Sequence, residues 1–381
     1  MRISGQSICI LRTSEFTSDP RVDRLARFLI GQGADVRLVG INRSGIPKNR
    51  EVSNGIRIER LTFSKRSRLP VGSILFAPFL GLWMMWSFLR LVKLRPSVVI
   101  ACDFDAMIPS LLYGSFGRSS FIYNPHDFYA DNFKKPIPDF VGSIVRFLEK
   151  RLVRRAKGLI LPDISRVRQF SGSALPNHVV EVVNAPTDIV RDAVDLSRHD
   201  VPDGTMIVFY GGQLSKHRGL QTLVDAVHGM SGVHLVIAGH GEHEDYIKWY
   251  IANHLNCTFI GRVSHLDIMR LTNACAVVAA MYDPAIPNHL FASPNKLYES
   301  MCYGKPIIVN DGTRLADLVT SHNCGVVVPY GDRHAVESTL SRLRDDVDSR
   351  VQLGENGRRV FESQYVWSIM EQRLLRFFQS L

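Results

Sequence analysis

The chain has 381 residues, 45% of them hydrophobic and 22% charged, with no low-complexity tract, which excludes a disordered or fibrous protein. At this length two domains of about 180 residues are the natural expectation. A formal net charge of +10 favours an anionic partner such as a phosphorylated substrate or lipid headgroups. Nucleic acid is not expected, because the basic residues are dispersed and not interleaved with aromatics along one segment. The six cysteines, Cys9, Cys102, Cys257, Cys275, Cys302 and Cys324, show neither a CxxC pair nor zinc-ligand spacing. Most lie in apolar runs, as small buried hydrophobes do, which fits a reducing cytoplasm. The apolar run near the N-terminus is too short for a secretory signal.

In chain order, apolar strands alternate with amphipathic helices, the pattern of α/β layers on parallel sheets. The first half predicts a strand at Ser7–Leu11, a helix from about Pro20 to Gly33 and a strand at Asp35–Gly40. Further strands are expected at Ser97–Ala101, Phe121–Tyr123 and Gly158–Leu161. The charged segment Asp188–Gly204, with Pro202, reads as a linker. The pattern then restarts with a strand at Met206–Tyr210, a helix at Leu220–Met230 and strands at Val233–Ala238 and Cys257–Ile260. Strands at Ala276–Ala280, Pro306–Val309 and Gly325–Val328 complete the second sheet. Two Rossmann-like domains are therefore expected, at residues 1–190 and 200–360. Arg350–Leu381 reads as one long helical stretch, apolar on one face over Trp367–Phe378.

Pro70–Leu89 holds 20 residues without a charge, long enough to span a bilayer. Pro78, the basic flanks (Lys65, Arg66, Arg68; Arg90, Lys93, Arg95) and the strand that follows argue against a span. A helix lying at the membrane interface, dipping Trp83 and Trp86 into it, is the expected role, with a buried crossover helix as the alternative.

Several loops carry chemistry. After the Met206–Tyr210 strand comes Gly211-Gly-Gln-Leu-Ser-Lys-His-Arg-Gly219, where glycines admit a ligand close to the backbone and Lys216, His217 and Arg218 bring positive charge. Arg218 can fork onto two phosphate oxygens. Gly239 and Gly241 follow the next strand, and Arg262 and Val263 the one after. No GxGxxG with the acidic residue of a dinucleotide fold is present, which disfavours a dehydrogenase. Ser293–Val309, SPNKLYESMCYGKPIIV, reads as a helix bearing Lys296 and Glu299 on one face, then a turn and a buried strand. A helix start at Pro294-Asn295 offers free N–H groups to an anion. Lys296 can neutralise a phosphate, and Glu299 can accept from both hydroxyls of a ribose. In the first half, His126 ends a strand where side chains face a ligand crevice. Asp103 and Asp105 end another, as metal ligands or helix caps. Arg21 lies in Thr17-Ser-Asp-Pro-Arg-Val22, where Asp19 and Pro20 make a good helix start.

The Lys296–Pro306 segment resembles the K-L-x-E-x-x-x-x-G-K-P motif of retaining glycosyltransferases of family 4, in the GT-B class, and the other loops follow in that family's order. The resemblance covers most of the chain. It implies two Rossmann-like domains facing each other across a cleft, with residues 361–381 crossing back to the first. It implies a donor site of Gly211, Gly212, Gln213, Lys216, Arg218, Gly239, Gly241, Arg262, Val263, Pro294, Asn295, Lys296, Leu297 and Glu299. His126, Glu299 and Arg218 would be catalytic, and Arg21 and Asp103 would face the acceptor. No metal or cofactor is implied beyond a nucleotide-diphosphate sugar, with uridine the expected base. The acceptor would be a saccharide or a lipid-linked one at the inner face of the cell membrane, with an anionic membrane surface as partner. Two positions depart from the family. Phe291 stands where a further Glu is usual, and Gln213 where many members have Arg. A non-catalytic relative and a sugar-nucleotide 2-epimerase are the alternatives that share the fold.

Overall fold

The structure is a computed structural model that describes residues 1–381 except 15, 17–19, 43–48, 54, 63–76, 118, 133–137, 188–189, 191, 193, 195 and 197–200, with the backbone alone of Asn132. The basic flank Lys65, Arg66 and Arg68, residues 70–76 of the uncharged stretch, Thr17–Asp19 and much of the expected linker therefore lie outside the described residues. The chain divides into two compact units, Met1–Val183 with Met370–Leu381, and Asn184–Ile369.

The first unit runs β1 (Ser7–Leu11), α1 (Pro20–Gly31), β2 (Asp35–Asn42), β3 (Arg50–Ser53), β4 (Ile56–Thr62), α2 (Ala77–Leu94), β5 (Val98–Cys102), α3 (Asp103–Gly114), β6 (Ser120–Asn124), α4 (Asp139–Leu152), β7 (Gly158–Leu161) and β8 (His178–Glu181). Its described strands form one sheet in the order β3-β4-β2-β1-β5-β6-β7-β8. All neighbours pair in parallel except β3 with β4. The central strands β1 and β5 are almost wholly apolar because helices cover both faces of the sheet. Ile8 pairs with Val36 on one side and Val98 on the other. There the strand order turns, and the carboxyl ends of β1 and β5 open a crevice of the kind that takes ligands.

The second unit runs β9 (Met206–Gln213), α5 (Leu220–Val227), β10 (Val233–His240), α6 (Glu244–Ile251), β11 (Cys257–Gly261), α7 (His265–Ala274), β12 (Val277–Ala280), α8 (Pro287–Leu290), α9 (Asn295–Cys302), β13 (Ile307–Asn310), α10 (Arg314–His322), β14 (Gly325–Val328), α11 (Arg333–Asp345) and α12 (Val347–Val360). Its sheet is parallel throughout, in the order β11-β10-β9-β12-β13-β14, so the order turns between β9 and β12.

Three expectations need correction. The helix read to Met230 stops at Val227, where His228 turns extended. The tail is not one helix: after α12 a π turn at Phe361–Tyr365 and an extended Val366 break it before α13 (Trp367–Ser380). From that helix Arg373 pairs with Glu181 at 2.9 Å, and Phe377 lies against Gly158, where any Cβ would collide with it. Most informative is α2. Trp83, expected to dip into a membrane, is wholly buried and donates its Nε1 hydrogen to the Gly40 carbonyl at 3.1 Å, while Trp86 packs against the same core. Among the described residues no helix is long and apolar enough to cross a membrane.

Candidate functional site

The second unit places two cations at its switch point. Gly219, at φ +60°, starts α5 and leaves Lys216–Arg218 as a short turn over the end of β9. Lys216 and Gln213 are exposed there. The Arg218 guanidinium stacks on the Tyr282 ring at 4.2 Å, and its Nη1 is buried without a hydrogen-bond partner among the described residues. Lys296, on the first turn of α9, brings Nζ to 4.5 Å from the Tyr210 ring and 5.8 Å from that of Tyr282. The ammonium lies 2.9 Å from where a Cβ on Gly212 would sit, so the glycine leaves room for it. Two cations resting on aromatic faces, with no carboxylate among the described residues paired to either, leave positive potential to be met by an anion.

The surroundings hold this arrangement. Asn310, at the end of β13, clamps the backbone of Tyr282, accepting from its N–H at 2.7 Å and donating to its carbonyl at 2.9 Å. Pro294 precedes α9 without a side-chain cap, so the first N–H groups of the helix remain available, and the Asn295 side chain is hydrogen-bonded to Asn184. Leu297 is core. Glu299, one turn along α9, is buried, with Oε1 3.7 Å from Nδ1 of His265. His217 and Asp283 pair at 2.8 Å. His289 on α8 joins the same region: its Nδ1 is 3.0 Å from the Asp283 carbonyl. Burial, then the Arg218 charge, pushes its pKa down to about 4. The imidazole is therefore neutral, Nδ1 donates, and Nε2 is left as an acceptor. Phe291, half-buried, ends α8.

Gly239 and Gly241 serve the backbone first. Gly239 has φ +150°, and a Cβ there would collide with the carbonyl oxygen of Gly212; one at Gly241 would strike that of Leu214. Both glycines thus let β9 and β10 stay paired to their carboxyl ends, where the cations gather. Gly211 is buried against Phe209 and Ile268. Arg262 is exposed and Val263 half-buried after β11. A cavity of about 300 Å³ lined by Thr205, Ile207, Lys305 and Arg350 opens at the other, amino-terminal ends of the strands.

In the first unit the structure gathers Arg21, Asp103 and His126 at the ends of β1, β5 and β6. Asp103, at φ +69°, accepts the His126 N–H at 2.8 Å and faces Arg12 Nε at 3.6 Å. It positions His126 and does not cap α3. Arg21 Nη1 donates to the His126 carbonyl at 3.4 Å. Asp105 accepts from Thr13 Oγ1, from Tyr129 OH at 3.4 Å and from the Ala106 N–H at 2.8 Å, so its oxygens are engaged by protein donors. Burial and then the Asp103 charge push its pKa up to about 7. The His126 ring is buried, with Nε2 unpartnered among the described residues. Burial first, then Arg12, Arg21 and Arg166, holds its pKa well below the ordinary value.

Sequence reasoning missed Tyr282, His289, His265, Asn310 and Tyr210. Only Tyr210 and His289 carried a local signal, through their closeness to the glycine loop and to Pro294.

Two doubly wound units, each turning its strand order at the ligand crevice, make up the GT-B fold of glycosyltransferases. It is shared by Anabaena Alr3699/HepE in complex with UDP-glucose, at 16% identity and a TM-score of 0.75 over 99% of this chain and 100% of that one. Residues 18–186 match the glycosyl transferase 4-like domain and residues 194–360 the glycosyl transferases group 1 domain. The chain belongs to the group 1 glycosyltransferases, a family of transferase enzymes. It is 24% identical over 230 residues to the phosphatidyl-myo-inositol mannosyltransferase of Mycobacterium leprae, a match spanning 56% of this chain and 57% of that protein. It is 23% identical over 349 residues to the succinoglycan biosynthesis protein ExoL of Rhizobium meliloti, 88% of this chain and 84% of that one.

Proposed function

We propose that the protein is a retaining, metal-independent glycosyltransferase that moves a sugar from a UDP-linked donor to a hydroxyl of a lipid-linked or saccharide acceptor, in polysaccharide or glycolipid synthesis at the inner face of the cell membrane. The observation that carries this is the pair Arg218 and Lys296, stacked on Tyr282 and Tyr210 beside an open helix start and the buried Glu299. A nucleoside diphosphate fits that set: its phosphates meet the cations and helix N–H groups, and its ribose hydroxyls donate to Glu299. HepE's complex with UDP-glucose supports the base. The names of the mycobacterial and rhizobial relatives support a glycolipid or polysaccharide product.

Chemically, the cations oppose the negative charge that grows on the leaving diphosphate, where fixed charges act most strongly. No metal and no cofactor are needed for this. In this reading the acceptor hydroxyl attacks from the face the diphosphate leaves. For His126, neutral and with Nε2 unpartnered among the described residues, the proposed role is one hydrogen bond to a hydroxyl of the sugar.

The test is thermal stabilisation of the purified chain across a panel of nucleotides and nucleotide sugars. A shift with UDP or UDP-sugars that disappears in Glu299→Ala supports the donor site. No shift with any nucleotide would favour the non-catalytic reading, which Gln213 and Phe291 motivate. Release of an epimerised free nucleotide sugar without glycoside would favour the epimerase.

A further inference from the structure

The first unit leaves an apolar helical face uncovered. Strands β4, β5, β6 and β7 follow one another rightwards in the same parallel sheet, and α2, α3 and α4 make the connections. Parallel crossovers are right-handed, so all three helices lie on one face of that sheet and their carboxyl ends share one edge. From Ala77 to Leu89 α2 carries no charge, yet only one side is covered. Phe79, Met84, Trp86 and Phe88 pack against the core, while Leu82, Met85 and Leu89, at i, i+3 and i+7, point to solvent. On α3 and the turn after it, Leu112 and Phe116 are exposed, Phe116 lying 6.1 Å from Phe88 of α2. On α4 the stripe is Phe140, Ile144 and Phe147. These side chains are each between 52 and 65% exposed. Scattered exposed hydrophobes need no explanation, but stripes on neighbouring helices do.

Charge selects the occupant. Lys93 and Arg95 follow the α2 stripe, and Arg151, Arg154, Arg155 and Lys157 follow that of α4, all exposed. Among the described residues of these three helices Asp139 is the exposed carboxylate, since α2 has no acidic residue, Asp105 and Glu149 are buried, and Asp103 is half-buried beside Arg12. An apolar face rimmed by cations along one edge matches a bilayer surface with anionic headgroups. We propose that the α2–α3–α4 face is a monotopic docking surface for an anionic phospholipid bilayer, with the α2, α3 and α4 stripes entering the interface and the basic edge contacting headgroups. It involves Leu82, Met85 and Leu89 of α2 and not the buried Trp83. The inference deepens the reading of a membrane-borne acceptor, and it is tested without donor or turnover.

The experiment is co-sedimentation of the full chain with vesicles of phosphatidylcholine alone or with added phosphatidylglycerol. The chain is expected to partition onto the anionic vesicles and to be released by salt. Phe140→Ser with Phe147→Ser, and separately Arg151→Glu with Arg154→Glu, should each lower partitioning by more than about tenfold. The melting temperature without nucleotide should stay close to the parent's, which shows that the variants fold and keeps this test apart from that of the donor site. Equal binding to both vesicle types, or variants that bind like the parent, would overturn the proposal. So would a concentration-dependent dimer in light scattering that the Phe140→Ser, Phe147→Ser variant abolishes, because the face would then belong to a second copy of the chain.

Discussion

Replacing Glu149 by Gln should change how stability depends on pH, by an amount the structure sets. Glu149 sits on the covered side of α4 and is wholly buried. Its Oε1 accepts from Tyr123 OH at 2.7 Å and its Oε2 from the Tyr129 N–H at 3.1 Å. It therefore fastens both ends of the turn that carries His126. Burial pushes its pKa from 4.5 up to about 8, with the two hydrogen bonds opposing the rise. A carboxyl whose pKa is raised by folding contributes full stability below its unfolded pKa and loses that contribution as pH rises towards the folded value. Between pH 4.5 and 7 the loss is about 3 kcal/mol, at roughly 1.4 kcal/mol per unit. Gln keeps both contacts, its oxygen accepting from Tyr129 and its amide donating to the Tyr123 oxygen, and it cannot ionise. Melting curves of parent and variant recorded from pH 5 to 8 should therefore diverge in favour of the variant as pH rises. For a unit of this size the divergence is roughly 6 °C or more. Groups common to both proteins cancel in the difference. Parallel curves would show that Glu149 is ionised in the folded protein throughout, and would refute the reasoning.

Arg218→Ala and Lys296→Ala should each weaken UDP binding by about 10- to 100-fold in calorimetry, the worth of a charge-assisted hydrogen bond. A change under about twofold in both would remove the cations from the diphosphate. His126→Ala should lower transfer at least about tenfold while UDP affinity is retained, since His126 belongs to the unit without the donor cations. Full turnover would make the residue structural. Gly239→Ala should lower both the melting temperature and UDP affinity, because its Cβ meets the Gly212 carbonyl at a backbone angle that L-residues avoid. An unaltered melting temperature would contradict the close pairing of β9 with β10.

The fold was legible wherever local pattern and tertiary fate coincide. Runs such as Ser7–Leu11 and Val98–Cys102 are apolar because both faces of a parallel strand are covered, and the same runs are strands in the structure. The β3–β4 hairpin was legible and went unread: Asn54-Gly55, a strong two-residue turn signal, separates Arg50–Ser53 from the alternating Ile56–Thr62. The glycine loop and the Lys296–Glu299 spacing were legible because they are local. Long-range partners were not. Nothing near Tyr282 in the chain announces that Asn310 will clamp it or that Arg218 will lie on its ring. Nor does anything near Asp103 in the chain announce that its oxygens will meet the His126 N–H and Arg12. Trp83 read as a membrane residue because hydropathy cannot tell the covered side of an all-apolar helix from the exposed one.

Phe291 and His289 together bear on how the donor site keeps its charge. A carboxylate in place of Phe291, in the loop between α8 and α9, would offer the nearby cations an internal partner. As the site stands, that loop holds no acid, and Asp283, before α8, has its carboxylate already paired with His217. His289 adds no charge, because burial and the Arg218 field keep it neutral down to about pH 4. The two cations therefore face the ligand with their charge unspent. For a diphosphate this strengthens attraction in the ground state and, more so, as the leaving group gains charge. Phe291 offers a ligand no hydrogen-bond acceptor, whereas His289 Nε2, on α8 just before it, is one. Donor affinity governed by this loop should consequently be flat between pH 5 and 8. A change in UDP-sugar affinity centred near pH 6.5 that His289→Asn removes would show that His289 titrates in this range, against the reasoning.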